Sequence, residues 1–201
     1  MTPLVRAALA ALVALPGPLA AQSTELYLDV GATYATPLVT DDALPEEVQV
    51  QQSIAPTVRA GASVPLSGTM RVGAELGVAT GGFESRFAGS SIDLGTLTTL
   101  GLVATLSGPV VQRLGWRVVA GTLKYFPGTD EGIFAQGGPW RPLLGVGLDY
   151  RIPVHRSFDV HVAARADLHS FSTAELQDRG FTSSQWVQRY ALVVGLARGG
   201  R

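Results

Sequence analysis

From Glu25 to Tyr34 the chain reads ELYLDVGATY, and its side chains alternate strictly in character. Leu26, Leu28, Val30, Ala32 and Tyr34 share one parity, while Glu25, Tyr27, Asp29, Gly31 and Thr33 share the other. Successive side chains of a strand point to opposite faces, so a period of two means that this strand separates an apolar environment from a polar one. The pattern returns in IAPTVRAGASV (Ile54, Val58, Ala60, Ala62 and Val64 against Thr57, Arg59, Gly61 and Ser63) and in MRVGAELGV (Met70, Val72, Ala74, Leu76 and Val78 against Arg71, Gly73, Glu75 and Gly77). Segments 94–106, 114–125, 140–152, 158–169 and 186–198 behave alike, which makes eight strands in all. Their connections alternate between compact turns (Pro65 to Gly68, Ser107 to Arg113, Pro153 to Ser157) and longer Gly-, Ser-, Pro- and Asp-rich loops at 37–52, 79–93, 126–139 and 170–185. An even number of antiparallel strands, with short turns at one end and long loops at the other, outlines an up-and-down barrel.

Such a barrel can bury either face. A soluble ligand-binding calyx turns its apolar face inward, whereas a membrane barrel turns it outward to lipid. Glycine placement discriminates. Gly31, Gly61, Gly73, Gly77, Gly95, Gly101, Gly121, Gly145, Gly147 and Gly195 all share the parity of the charged residues. On a water-facing wall they would only weaken strands, but inside a narrow barrel they make room for Arg and Glu side chains crossing from the opposite wall. Lysine, the usual outer covering of a soluble barrel, occurs once, as Lys124. Aromatic residues of the apolar parity fall near strand ends, Tyr34, Trp140 and Trp186 towards the long loops and Trp116, Tyr150 and Phe158 towards the short turns, as the two belts of a membrane span require.

The N-terminus carries its own signal. Arg6 provides a positive start, Ala7 to Leu15 an apolar core too short to cross a bilayer, and PGPLAAQ a breaker followed by small residues suited to cleavage near Ala20 or Ala21. Residues 1–21 are therefore expected to be a signal peptide and 22–201 a single barrel domain. A composition 46% hydrophobic and 15% charged is apolar for a soluble protein, and a formal net charge of -1 provides no basic field for nucleic acid. The absence of cysteine excludes disulfides, thiolate metal sites, Cys nucleophiles and a lipidated N-terminal cysteine.

With these features the mature chain resembles the small eight-stranded outer-membrane β-barrel proteins of Gram-negative bacteria. The last strand, WVQRYALVVGLAR, is similar to the family's C-terminal insertion signal, with Gly195 among alternating Tyr190, Leu192, Val194 and Leu196, although the chain ends ARGGR without a terminal aromatic. The resemblance implies an all-β, eight-stranded antiparallel transmembrane barrel of porin-like shape in the bacterial cell outer membrane. It also implies contact with outer-membrane lipid and lipopolysaccharide, passage through the barrel-assembly machinery, and four extracellular loops open to a ligand that the sequence does not name. No cofactor is implied.

Under this phase the lumen receives Glu25, Asp29, Arg59, Arg71, Glu75, Arg117, Arg141, Asp149, Arg151, Asp159, His161, Arg165, Asp167 and Arg189. Acids and arginines nearly balance, and bidentate Arg–carboxylate pairs satisfy both partners away from bulk water. The expectation is an interlocked polar core that fills an eight-stranded barrel, with Arg141, Arg151 and Arg189 as candidate partners for Asp159 and Asp167. Chemistry is weighed against this structural role. His161 and His169, with Asp159 and Asp167, are types that bind metal, but eight residues along a strand separate the two histidines by about 26 Å, too far to share an ion. His169, Ser170, Ser172 and Glu175 in HSFSTAE supply the types of a nucleophile, base and orienting acid near the outer rim, as a lipid A modifying enzyme would need. The deacylase pattern His-x-Ser-Asn is missing, however, and GTLKYFPG lacks the strand-to-helix setting of a phosphate loop. The leading expectation is a non-enzymatic structural or surface-interaction barrel; a lipid A modifying enzyme, a secreted calyx and a narrow channel are the alternatives.

Overall fold

The computed structural model describes residues 24–41, 48–87, 90–129, 132–155, 157–178 and 184–199. The expected signal peptide, residues 1–21, lies outside the described residues. Ten strands form one antiparallel sheet: β1 (Glu25–Ala35), β2 (Val39–Asp41), β3 (Val48–Gln52), β4 (Ala55–Ser67), β5 (Met70–Phe87), β6 (Ser90–Val111), β7 (Leu114–Pro127), β8 (Trp140–His155), β9 (Phe158–Phe171) and β10 (Gln185–Gly199). Eight of them, β1 and β4 to β10, form a closed ring, because β1 pairs with β4 on one side and with β10 on the other while β5 pairs with β6. Closure leaves no strand of the ring with an unpaired edge, which is the condition for a sheet to stand in lipid. Among the described residues no helix is long and apolar enough to cross a membrane.

Even-numbered residues of the ring face outward: Leu144 is 64% exposed and Leu192 62%, and Val30, Val58, Leu76, Leu102, Val118 and Val146 are exposed with them. Odd-numbered residues face the lumen, where Asp29 is 2% and Glu75 3% exposed. An apolar surface that encircles the molecule far exceeds the patches tolerated by proteins in water. Aromatic residues border it. Tyr34 stacks on Tyr190 at 6.5 Å, and the lone lysine, Lys124, places its ammonium 5.6 Å from the Trp140 ring and 5.8 Å from the Phe126 ring, with its stem along the apolar wall and its charge at the border with water. At the other end the Arg198 guanidinium lies 5.9 Å from the Phe158 ring.

The short turns follow a local rule. Register shifts occur at Pro65/Ser67, Pro109/Val111 and Pro153/His155, each beside a turn. Proline has no N–H to give to the ladder, so the strand bulges and pairing ends within a few residues. Gly68, at φ 54, makes the β4–β5 turn in the left-handed region.

The long connections depart from the expectation of plain loops. Segment 79–93 is mostly a strand hairpin: β5 and β6 stay paired as far as Phe87 and Ser90, held by a Thr80–Thr98 hydroxyl contact of 3.0 Å. Its Gly and Ser content points to a loop, but Thr80, Phe83, Phe87 and Ile92 are residue types that favour extended backbone, and the ladder continues through them. β3 pairs with β5 from Phe83 to Phe87, beyond the Thr57–Ala79 end of the β4–β5 ladder, while on the other edge the β5–β6 ladder shifts register at Gly82/Glu84. Segment 37–52 supplies β2 and β3, 126–139 a single 3₁₀ turn (Gly132–Phe134), and 170–185 a one-turn helix α1 (Ala174–Asp178).

Candidate functional site: the barrel lumen

Glu75 on β5 is the hub of the middle lumen. Its Oε2 accepts a hydrogen bond from the Tyr27 hydroxyl at 2.9 Å and lies 3.4 Å from Arg117 Nη1, while Arg165 Nη1 reaches across from β9 to Oε1. Arg117 also donates from Nη1 to the Tyr27 hydroxyl at 2.6 Å and from Nε to Asp149 at 3.1 Å, and its guanidinium stacks 4.7 Å from the Tyr27 ring. Arg165 Nε lies 2.9 Å from Asp167 Oδ1 and donates to Oδ2 at 3.0 Å. His161 Nε2 is 2.8 Å from Asp29 Oδ1 without hydrogen-bond alignment, and the imidazole meets the Tyr27 ring edge-on at 6.1 Å. Near the short-turn mouth Arg151 clamps Glu25 bidentately at 2.6 and 2.9 Å, and Arg71 donates to the Ser63 hydroxyl at 3.0 Å and its carbonyl at 2.9 Å.

Glycines give these groups room. A Cβ on Gly145 would collide with Asp167 Oδ1, one on Gly195 with Asp29 Oδ1, and one on Gly61 with the Tyr27 ring. Each lies directly across the ladder from the strand whose side chain it accommodates.

Of the fourteen residues assigned to the lumen from sequence, Glu25, Asp29, Arg59, Glu75, Arg117, Asp149, His161, Asp167 and Arg189 are buried, and Arg71, Arg141, Arg151, Asp159 and Arg165 are partly buried. The partners expected for Asp167 require correction. Its arginine is Arg165, two residues back on its own strand; Arg151 binds Glu25, Arg189 donates to Thr99 Oγ1 at 2.9 Å, and Arg141 donates to the Ser172 carbonyl. Arg189 does sit opposite Asp167 in the ladder. Adjacent backbone positions do not decide where a long guanidinium ends; the lumen width does.

The expectation of a wholly polar interior also requires correction. Towards the long loops the lumen is packed with Phe83, Leu97, Leu123, Tyr125, Phe134, Leu143, Phe171, Leu176 and Val187. Their rings interlock, with Tyr125–Phe171 centroids 5.3 Å apart, Phe83–Phe134 5.6 Å and Phe134–Phe171 5.8 Å. Leu97, Leu123, Tyr125, Leu143 and Phe171 have odd numbers, so their parity already assigned them inward. Tyr27, the centre of the ionic network, carried the same signal.

The residues weighed for chemistry are separated by their bonding. His169 is fully buried under this plug, with Nε2 3.1 Å from the Tyr125 hydroxyl and Nδ1 3.2 Å from the Ser170 carbonyl. The Ser172 hydroxyl instead accepts from Gln177 Nε2 at 3.2 Å, and Glu175 Oε1 accepts from the Gln136 backbone N–H. His161 faces Asp29, not His169. In the extension beyond β4, hydrogen bonds from Gln51 and Ser91, with Arg86 beside them, hold the Glu84 carboxyl below the usual glutamate range.

No protein-family model matches the chain, and no curated protein sequence matches it. Solved structures do. The outer membrane protein AlkL, determined in DMPC bilayers, superposes with a TM-score of 0.54 at 16% identity over 92% of this chain and 93% of AlkL. Neisserial surface protein A (NspA) superposes at 0.52 with 12% identity over 87% of this chain and 96% of NspA. At these identities the likeness is one of architecture: the chain has the fold of the small eight-stranded outer-membrane β-barrels.

Proposed function

We propose that this protein is a non-enzymatic scaffold of the bacterial outer membrane, a rigid barrel that holds its loop end outside the cell and conducts nothing. The observation that carries the reading is the filled lumen. At the level of the ionic network the described side chains leave cavities of about 30 Å³ and 10 Å³, enough for one or a few water molecules, and the apolar plug lies above them. The outward apolar wall and its aromatic borders support contact with membrane lipid, with lipopolysaccharide on the loop side. The outward row Tyr190, Leu192, Val194 and Leu196 of β10 supplies a surface for the barrel-assembly machinery. The separation of His169, Ser172 and Glu175 supports a non-enzymatic role over a lipid A modifying one.

The loop end is where a partner would bind. By sequence, segments 37–52, 79–93, 126–139 and 170–185 hold ten carboxylates (Asp41, Asp42, Glu46, Glu47, Glu84, Asp93, Asp130, Glu131, Glu175 and Asp178) against two arginines (Arg86 and Arg179). An acidic end repels anionic polysaccharide and selects a basic partner. Cell fractionation with a gel of boiled and unboiled samples tests the location: a folded barrel stays with the outer membrane and changes mobility on boiling. Recovery in the soluble periplasm defeats the proposal, and stepwise conductance in planar bilayers defeats its closed lumen.

A further inference from the structure

We infer that the middle lumen contains a binding site for one small monovalent anion, chloride in the cell, held between Arg59 and Arg189. The site is the cavity of about 30 Å³, and its charged lining is Arg59, Arg165 and Arg189 against Glu75 and Asp167. The two carboxylates are already taken: Arg165 binds both, and Glu75 receives Tyr27 and Arg117 as well. Arg59, 5% exposed, makes no hydrogen bond or close ion pair among the described residues, its nearest carboxylates being Glu75, Asp167 and Asp29. Arg189, 4% exposed, spends Nη2 on the Thr99 hydroxyl, and its Nη1 is buried with no partner among the described residues. Three guanidiniums line this cavity against two carboxylates, with the third carboxylate, Asp29, facing Arg59 across the β1–β4 ladder and lining the cavity below, so what the cavity leaves unfilled is N–H donors of Arg59 and Arg189. Buried donors left without an acceptor are disfavoured, and a single halide-sized anion accepts from both guanidiniums at once.

The rest of the wall suits such an ion. Thr33 faces the cavity from β1, buried and with its hydroxyl unbonded among the described residues, so it is free to donate. The space exists because Gly77 and Gly101 stand opposite each other in the β5–β6 ladder and bring no side chain, while the stem of Arg59 lies along Gly77, with Cγ 3.4 Å from where its Cβ would be. Above, Leu123 and Leu143 close the cavity with the underside of the plug. Below, Arg59, Glu75 and Arg165 also line the 10 Å³ cavity, which shares Asp149 with a 370 Å³ opening at the short-turn mouth.

Bromide replaces chloride and scatters anomalously, so crystals of the detergent-solubilised barrel grown in bromide test the site directly. The expected result is an anomalous peak between Arg59 and Arg189 that is lost in Arg59→Gln. In solution, thermal unfolding in chloride against gluconate at equal ionic strength should show the midpoint rising by about 3–5 °C for each tenfold increase in chloride above its Kd. Thr33→Val, which keeps the shape and removes only one donor, should move that dependence to higher chloride; it carries the test if Arg59→Gln does not fold. A cavity holding only water, a bromide peak unchanged in Arg59→Gln (an adventitious ion only), or equal stability in chloride and gluconate each overturns the inference.

Discussion

Replacing Glu75 by glutamine tests whether the ionic hub holds the barrel together. Glutamine has nearly the same shape but no charge, and its amide group presents N–H donors where Glu75 receives three: the Tyr27 hydroxyl, Arg117 Nη1 and Arg165 Nη1. One amide oxygen can keep only part of this set, while the amide nitrogen faces donors. Arg117 and Arg165 retain Asp149 and Asp167, so neither guanidinium is wholly abandoned. Breaking a buried ion pair from one side costs about 3–5 kcal/mol, and the retained carboxylates place Glu75→Gln near the lower end, about 3 kcal/mol, or two decades in the unfolding constant. Urea unfolding of the refolded protein in detergent, followed by tryptophan emission, reads this as a shift in midpoint at constant slope. Adding Arg165→Met should cost less than the two single changes summed, since each removes the same contact. A Glu75→Gln barrel within about 0.5 kcal/mol of the parent would refute the assignment of Glu75 as hub.

Other changes probe separate parts of the fold by the same unfolding assay. Gly145→Val should lose about 1–3 kcal/mol, because its side chain drives Asp167 off Arg165, whereas Gly101→Ala, whose nearest neighbour is Leu123 Cδ1 at 3.8 Å, should be within about 0.5 kcal/mol of the parent. Leu144→Arg should cost about 2–4 kcal/mol in liposomes, because the residue is 64% exposed on the lipid face. The lowered Glu84 pKa stabilises the β5–β6 extension above the unfolded glutamate value, and this is lost as pH falls through the folded one; amide hydrogen exchange in the extension, corrected for the intrinsic pH dependence of exchange, should therefore show less protection at about pH 3 than at about pH 7, and Glu84→Gln should remove the difference.

Parity makes most of the ring legible in the sequence alone. Each strand kept its phase from turn to loop, and Pro65, Pro109 and Pro153 punctuated the short-turn ends where the ladders slip. Parity assigns a side chain to a face but not to a depth or a partner. Glu75 meets Arg117 and Arg165 from strands that are not its neighbours, a contact set by barrel diameter and stagger. The same reason hid the pairing of Arg165 with Asp167, two positions apart on one strand, behind the more obvious cross-strand choice of Arg189. The plug was visible in part, since Leu97, Leu123, Leu143 and Val187 break the polar row of the odd positions. Charged neighbours in the same row obscure that break.

The division of the lumen into an ionic half and an apolar half follows from what surrounds each. Within the span the outer wall faces hydrocarbon, which solvates a leucine as well as any core does, so burying apolar side chains inside gains little there. Backbone closure and matched ion pairs must specify the shape instead, and Glu75, Arg117, Asp149, Arg165 and Asp167 do this while glycines opposite them keep the walls close. Beyond the level of Lys124 and Trp140 the outer wall meets water, and burial again drives packing. Phe83, Leu97, Tyr125, Phe134 and Phe171 converge at that level and beyond it, where the β5–β6 extension and the loop turns need a core of their own. The plug is thus the hydrophobic core of the water-exposed end, and filling that part of the lumen is a consequence of folding that end.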